Sequence, residues 1–344
     1  MSSHVVCSRE VRALTAATAA AVLALVLGSA QLAAAAPACV SPITSCGCTI
    51  KTTGTYKVGA DLNASQGLTG RGDCIDITAS NVTLEGNGFD VQGSTSPHAM
   101  DGIRILVGAG RAVVEDFSEV LDWPIAGVED DANTAQIVSF DLIEDNGTGV
   151  LLNTVNNTLV SDVDSNKNTG AGITVMSGSG VTLADFDTDS NGADGVLLKN
   201  TVRPTLKDFD SNSNKDNGVD VVNTIVGGVP SISDFDADSN TLDGIFLSGT
   251  TKASVGNGDA NDNKSSGIEL GLLDNTCSVT GNTTMGNGVD GILVDFRSTK
   301  NTISGNDADD GNKKFDLQDG NPNCDGDTWT DNLFVTASPT SCIN

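Results

Sequence analysis

The sequence predicts an all-β fold, a parallel β-helix solenoid of about nine to ten coils with a period near 23 residues. Three observations predict it: a Phe on a fixed clock, a Gly on the same clock, and strand composition without helical patterning. Phe117, Phe140, Phe186 and Phe209 share a register of 23, with Val163 in the slot between Phe140 and Phe186. Phe235 follows 26 residues later, behind an insertion around Gly227 and Gly228. Half of the ten Phe in the chain thus sit in one register, too many for composition alone. The second marker is a Gly followed by alternating aliphatics, as in Gly195-Val196-Leu197-Leu198. It recurs at Gly102, Gly127, Gly149, Gly172, Gly195, Gly218, Gly244, Gly267 and Gly291, and its step of 26 coincides with that of the Phe register. The segments are short, rich in Val, Ile and Thr, alternate with period two, and are separated by Gly, Asn and Ser. A leucine framework is missing, and each repeat is too short for a propeller blade. One repeat is therefore one coil, stacked about 4.8 Å from the next.

Residues 1–36 read as a secretory signal. Arg9 and Arg12 form a basic start, Ala17 to Leu27 an apolar run, and Ala33 to Ala36 a small-residue cleavage site. The apolar run is too short for a bilayer span and no other segment approaches one, so no membrane insertion is expected. The expected location is extracellular, or in the cell envelope. Residues 37–80 form an N-terminal segment tied by cysteines, in which Tyr56, Val58 and Leu62 mark a short strand. Residues 81–318 carry the coils, beginning at Asn81-Val82-Thr83-Leu84, and 319–344 form a C-terminal cap. Seven cysteines follow the signal, and export makes disulfides the first expectation. Cys324–Cys342 and then Cys48–Cys74 are the expected pairs. The partners of Cys39, Cys46 and Cys277 stay open, and the odd count leaves at least one thiol unpaired in the chain. Cys46-Gly47-Cys48 is not zinc spacing.

The turns carry a column of their own. Asn168, Asn191, Asn214, Asn240, Asn263 and Asn287 each lie four residues before a marker Gly. Asn tolerates the left-handed backbone that a sharp corner requires, and stacked Asn side chains can bond along the axis.

With Phe placed inside, the residues at ±1 point outward, because side chains alternate along a strand. The residues that follow, among them Ser118, Leu142, Ser165 and Thr188, are then expected inside. One place after the Phe register come Asp141, Asp164, Asp187, Asp210, Asp236 and Asp259. One place before it come Asp162, Asp185, Asp208 and Asp234; three places after it come Asn166, Asp189, Asn212, Asp238 and Asn261. In-register stacking puts carboxylates about 5 Å apart, where each pair repels by about 1 kcal/mol even in water. Such a face is either a solvated acidic surface or a site for divalent cations such as Ca²⁺, which takes oxygen ligands. The ten Asp residues of the two flanking columns are the candidate metal ligands. On the second strand Leu151, Leu197, Phe246 and Leu293 point outward as apolar positions, the candidate contact face for a partner or a long loop.

Gly-Ile/Val-x-Leu followed by Asn301-Thr302-Ile303-Ser304-Gly305-Asn306 resembles the right-handed parallel β-helix repeat of pectate-lyase-like proteins and NosD-type β-helices. The resemblance implies a right-handed solenoid and leaves function open, because that architecture hosts lyases, hydrolases, epimerases, adhesins and binding proteins. The Asn-Thr-Asp, Gly-His-Gly and Arg-Ile-Lys motifs of polygalacturonases are missing. His98, in Ser96-Pro97-His98-Ala99, also departs from the Asp-Pro-His pattern of alginate epimerases. A calcium-dependent lyase needs a base beside its metal, for which Lys207 and Arg203 are the candidates. A Lys beside carboxylates has its pKa pushed up, the wrong direction for a base.

Net charge of −27 excludes nucleic acid and anionic membranes as partners, since both select a basic face. The expected role is a non-catalytic exported scaffold that binds a polysaccharide or a surface partner and is stabilised by Ca²⁺. The alternative is a calcium-dependent polysaccharide lyase or a related glycan-active enzyme.

Overall fold

The computed structural model describes residues 36–68, 72–94, 99–223 and 229–343. The signal, His98 and the insertion at Gly227 and Gly228 lie outside the described residues.

Two long sheets carry the fold. The first holds 13 strands, from Cys48–Ile50 to Ala337–Ser338. The second also holds 13, from Gly54–Lys57 to Thr328–Thr330, with the two-residue strand Leu62–Asn63 attached beside its main path. Neighbours within a sheet come from successive coils and always pair in parallel, as Val196–Lys199 does with Val219–Val222. Each coil thus gives one strand to each sheet, which is the connectivity of a β-solenoid. Among the described residues the only helical pieces are a single turn at Ala64–Gly67 and a 3₁₀ segment at Pro322–Gly326.

The coil count comes to about 12 rather than nine to ten. Both terminal segments supply coils, which the sequence markers miss. Cys48–Ile50 pairs with Ile75–Ile77, and Thr328–Thr330 pairs with Thr302–Ser304. Register places Cys74 where a marker Gly would stand, because Ile75 pairs with Ile103. The same register corrects the N-terminal disulfides. Cys48 lies opposite Ile75, so Cys74 faces Gly47 and is reached by Cys46, with 4.2 Å between their α-carbons. Cys48 instead bonds Cys39, which the bridge between Ala38 and Thr49 brings alongside. Cys324–Cys342 is present as expected, and Cys277 is a buried free thiol.

The Phe register is the inner ladder. Phe117, Phe140, Phe186, Phe209 and Phe235 are all at most 4% exposed. Phe186 and Phe209 stack with centroids 4.8 Å apart and rings within 4° of parallel. Such offset stacking adds to the stabilisation from burial itself. Val163 fills the slot between Phe140 and Phe186, in register with both. Ser165, Thr188, Ser211 and Ala237 point inward as the alternation requires. Ser118 and Leu142 do not: they are half-exposed, and Val120 and Ile143 are buried in their place. Beyond Phe235 the ladder changes material. Register carries it to Gly258, Asn282, Asn306 and Asn332, and the last three form a second amide ladder. The ring of Phe235 occupies the space that a side chain at Gly258 would need.

The first Asn ladder works differently from expectation. The left-handed residue of that corner is the one before each Asn: Lys167, Ser190, Ser213, Ser239 and Asp262 have φ between 54° and 61°. The Asn side chains point inward, and each bonds two coils. Asn191 Oδ1 accepts the N–H of Asn168 at 2.9 Å, and Asn191 Nδ2 donates to the carbonyl of Ser165 at 3.1 Å. The marker glycines follow from crowding at the same corner. A Cβ on Gly195 would collide with the Ser211 hydroxyl, which itself donates to the Gly218 carbonyl at 2.7 Å.

Candidate functional site

The three acidic columns separate into two with structural duties and one without. Asp162, Asp185, Asp208 and Asp234 sit at a corner inside the second-sheet strands with φ between 50° and 57°. The column continues through Asn257, Gly281 and Gly305, all also at positive φ. Asp, Asn and Gly are the residues that enter this backbone region at least cost, so the corner selects them.

The column three places after the Phe register is a hydrogen-bond ladder. Asn166 Oδ1 accepts the N–H of Asp189, Asp189 Oδ1 that of Asn212, Asn212 Oδ1 that of Asp238, and Asp238 Oδ1 that of Asn261, at 2.6–2.7 Å. Asn and Asp alternate along it, which keeps every carboxylate two coils from the next. That spacing halves the Coulomb repulsion relative to adjacent coils.

Only the column Asp141, Asp164, Asp187, Asp210, Asp236 and Asp259 lacks such a duty. Its members face one another across successive coils: Asp164 pairs with Asp187, Asp187 with Asp210, Asp210 with Asp236 and Asp236 with Asp259. Partial burial, followed by the charges of Asp187, Asp162, Asp141 and Asp189, pushes Asp164 up to about 6. Asp187, Asp210 and Asp236 are raised by burial and then by neighbouring Asp charges. Asp208, Asp210, Asp234, Asp236 and Asp259 line an open groove of about 380 Å³ beside Gly258, where the Phe ladder ends. Among the described residues no three acidic, His or Cys side chains converge as a metal cage. Of the two basic candidates, one borders this groove through its ion pair with Asp208. Lys207 is exposed and ion-paired to Asp208 at 3.2 Å, and Arg203 occupies a turn at φ 52°.

The outward column of the first sheet holds residues that attention to the Phe register overlooked. Those from Arg104 to Leu293 each stand two places after a marker Gly, and Asp76 and Gln318 hold the same offset from Cys74 and Asp316. In order they are Asp76, Arg104, Glu129, Leu151, Thr174, Leu197, Asp220, Phe246, Glu269, Leu293 and Gln318, all in register. Reading that offset for polar as well as apolar residues would have found them.

At the N-terminal end of this column Arg104 is held between two carboxylates. It lies 2.8 Å from Asp131 and 3.4 Å from Glu129, whose other oxygen accepts from Asn153 at 2.8 Å. Asp101 beneath them is fully buried. Its Oδ1 accepts the N–H of Ala126, its Oδ2 has no donor, and its carboxyl adjoins that of Glu129. Burial, then this carboxyl contact, push Asp101 up to about 9. Asp76 rises to about 7, through burial first and the adjoining Asp73 carboxyl second. Near the other end Asp220 is pushed up to about 7 and Glu269 to about 8, each chiefly by burial and then by surrounding Asp charges.

Comparison with solved structures decides the class of solenoid. The chain is similar to the A-module of the mannuronan C-5 epimerase AlgE4 of Azotobacter vinelandii, with TM-score 0.66 and 15% identity over 83% of this chain and 86% of that one. The periplasmic alginate epimerase AlgG gives TM-score 0.67 at 13% identity, over 84% of this chain and 77% of that one. The Dettilon tailspike protein gives 0.54 at 14% identity, over 84% and 61%. The fold is a right-handed parallel β-helix. No protein-family model and no curated protein sequence matches the chain. Identities this low establish shared architecture alone, and chemistry has to come from the residues on the coils.

Proposed function

We propose that the protein is an exported β-helix scaffold of the cell surface or envelope that binds a polysaccharide along the outer face of its first sheet without turning it over. One observation carries this reading. The outward column of that sheet interleaves half-buried apolar side chains (Leu151, Leu197, Phe246, Leu293) with hydrogen-bonding groups (Thr174, Asp220, Glu269, Gln318), one per coil. Extended glycans are bound by surfaces that alternate apolar platforms with placed polar groups. The names of two similar structures, a mannuronan C-5 epimerase and an alginate epimerase, agree with a carbohydrate partner. Three disulfides and the apolar leader agree with export. No helix among the described residues is long and apolar enough to cross a membrane.

Ca²⁺ belongs to this reading as a bridging ion. The column from Asp141 to Asp259 presents pairs of carboxylates on adjacent coils rather than a cage, and a divalent cation between them would cancel their repulsion. Glycan-array binding of protein expressed from Pro37 onward tests the main reading. Retention of no polysaccharide on the array would sink it.

A second reading, a glycan-active enzyme, is favoured by the Asp76, Asp101, Arg104 and Glu129 cluster. Carboxyls that hold protons near neutral pH beside a fixed cation are the usual equipment of acid–base chemistry. Incubation with uronate polymers and Ca²⁺, followed at the absorbance of unsaturated products, exposes a lyase. Release of reducing ends exposes a hydrolase. Activity that disappears in Asp76→Asn would replace the scaffold reading.

A further inference from the structure

We infer that Asp220, Phe246 and Glu269 form a subsite for an uncharged pyranose, so that the glycan bound by this face is neutral rather than a polyuronate. The inference rests on the polysaccharide reading above and names its ligand class.

The three side chains come from consecutive coils and share one outward column. Asp220 pairs with Phe246, and Phe246 with Glu269. All three are half-buried, so a ligand resting on the sheet meets them together. The far edge of the Phe246 ring lies against Gly271 of the next coil, where a Cβ would come within 2.9 Å of it. The missing side chain at Gly271 lets the ring lean along the sheet instead of standing away from it. The electron-rich face of an aromatic ring attracts weakly positive C–H groups, which one side of a pyranose supplies.

The flanking acids supply the polar half. Asp220 Oδ1 is buried and has no hydrogen-bond donor, and Gln318 Oε1, further along the same column, is in the same state. Buried acceptors are almost always satisfied, so two unsatisfied ones on a single outward column mark places for donors brought by a ligand. A sugar hydroxyl is such a donor, and it can also accept from a carboxyl that holds a proton.

Charge selects among glycans. Asp194, Asp243 and Asp216 surround Asp220, and Asp243, Asp295, Asp290 and Asp274 surround Glu269. The cation that acts on Asp220 is Lys199. Further along the face, Arg104 is already paired with Glu129 and Asp131. A polyuronate brings one carboxylate per sugar and would meet repulsion at every step, whereas a neutral chain meets none.

Affinity electrophoresis without divalent cations tests this. Gels would contain a soluble β-glucan, a mannan or a dextran in one arm, and alginate or polygalacturonate in the other. At least one neutral polymer should retard the protein, and the polyuronates should not. Phe246→Ala should weaken that retardation at least tenfold in apparent Kd, and Phe246→Leu, which keeps an apolar side chain over Gly271, should weaken it as well. Retardation by polyuronates alone would overturn the neutral class while leaving the polysaccharide reading intact. Undiminished binding by folded Phe246→Leu and Glu269→Gln would overturn the subsite. Failure of every polymer would remove the polysaccharide reading and this inference with it.

Discussion

Asn191 accepts the backbone N–H of Asn168 with its side-chain oxygen and returns its own amide protons to the carbonyl of Ser165, so one side chain joins two coils. The side chain is fully buried, and no water can replace either bond. Asn191→Ala therefore leaves a donor and an acceptor unpaired inside the solenoid. Each such loss costs about 1–3 kcal/mol. Urea denaturation should show a loss of about 2–5 kcal/mol for Asn191→Ala. A loss below about 0.5 kcal/mol would mean that the ladder is not holding the corner.

The Phe ladder makes a second stability prediction. Phe209 is stacked on both sides, with centroids 4.8 Å from Phe186 and 5.6 Å from Phe235. Phe209→Ala removes both contacts and leaves a cavity, at a cost of about 3–5 kcal/mol. Val163 already shows that the ladder accepts an aliphatic residue, so Phe209→Leu should cost less than half as much. Thermal melts of the two variants beside wild type check the order.

Stability should fall as pH rises through the weakly acidic range. Asp164 titrates near 6 in the folded protein and at 3.8 as an unperturbed group. Between those values the native state holds more protons than the unfolded state, so raising the pH favours unfolding. Above about 6 both states are ionised and this contribution is flat. Glu269, near 8 when folded, extends the decline to about pH 8. Chemical denaturation at constant ionic strength between pH 4 and 8 should show this slope, and Asp164→Asn should flatten its lower half.

Calcium should act on the same column. Adding Ca²⁺ in place of EDTA at pH 7.5 is expected to raise the thermal midpoint, and to do so less in Asp187→Asn with Asp210→Asn. An unmoved midpoint would end the bridging-ion proposal.

The cysteines give a chemical test of the register. In protein expressed from Pro37 onward, Cys277 is buried, so a thiol reagent should find almost no free thiol until denaturant is added and one thereafter. Peptide mapping should recover Cys39 with Cys48 and Cys46 with Cys74. Recovery of Cys48 with Cys74 would contradict the pairing of Cys48 with Ile75.

The repeat itself was legible in the sequence, because a solenoid writes each inward position once per coil. Phe186, Phe209 and Phe235, the marker glycines and the Asn column recur at the period of the backbone, and one-dimensional stacking carries that recurrence directly into space. The inward or outward sense of most residues near Phe followed from strand alternation alone. Whatever depends on a neighbour in the next coil was not legible. The sequence displays three similar Asp and Asn columns. Only the folded chain shows that Asp208 sits at a left-handed corner, that Asp189 receives the N–H of Asn212, and that Asp187 simply faces Asp210. The same holds for Asp76, Arg104 and Glu129, which lie more than 20 residues apart in the chain and meet through parallel pairing. Composition and period determined the fold, since burial depends on residue type. The duty of each polar side chain depends on which oxygen faces which donor, and only the tertiary structure decides that.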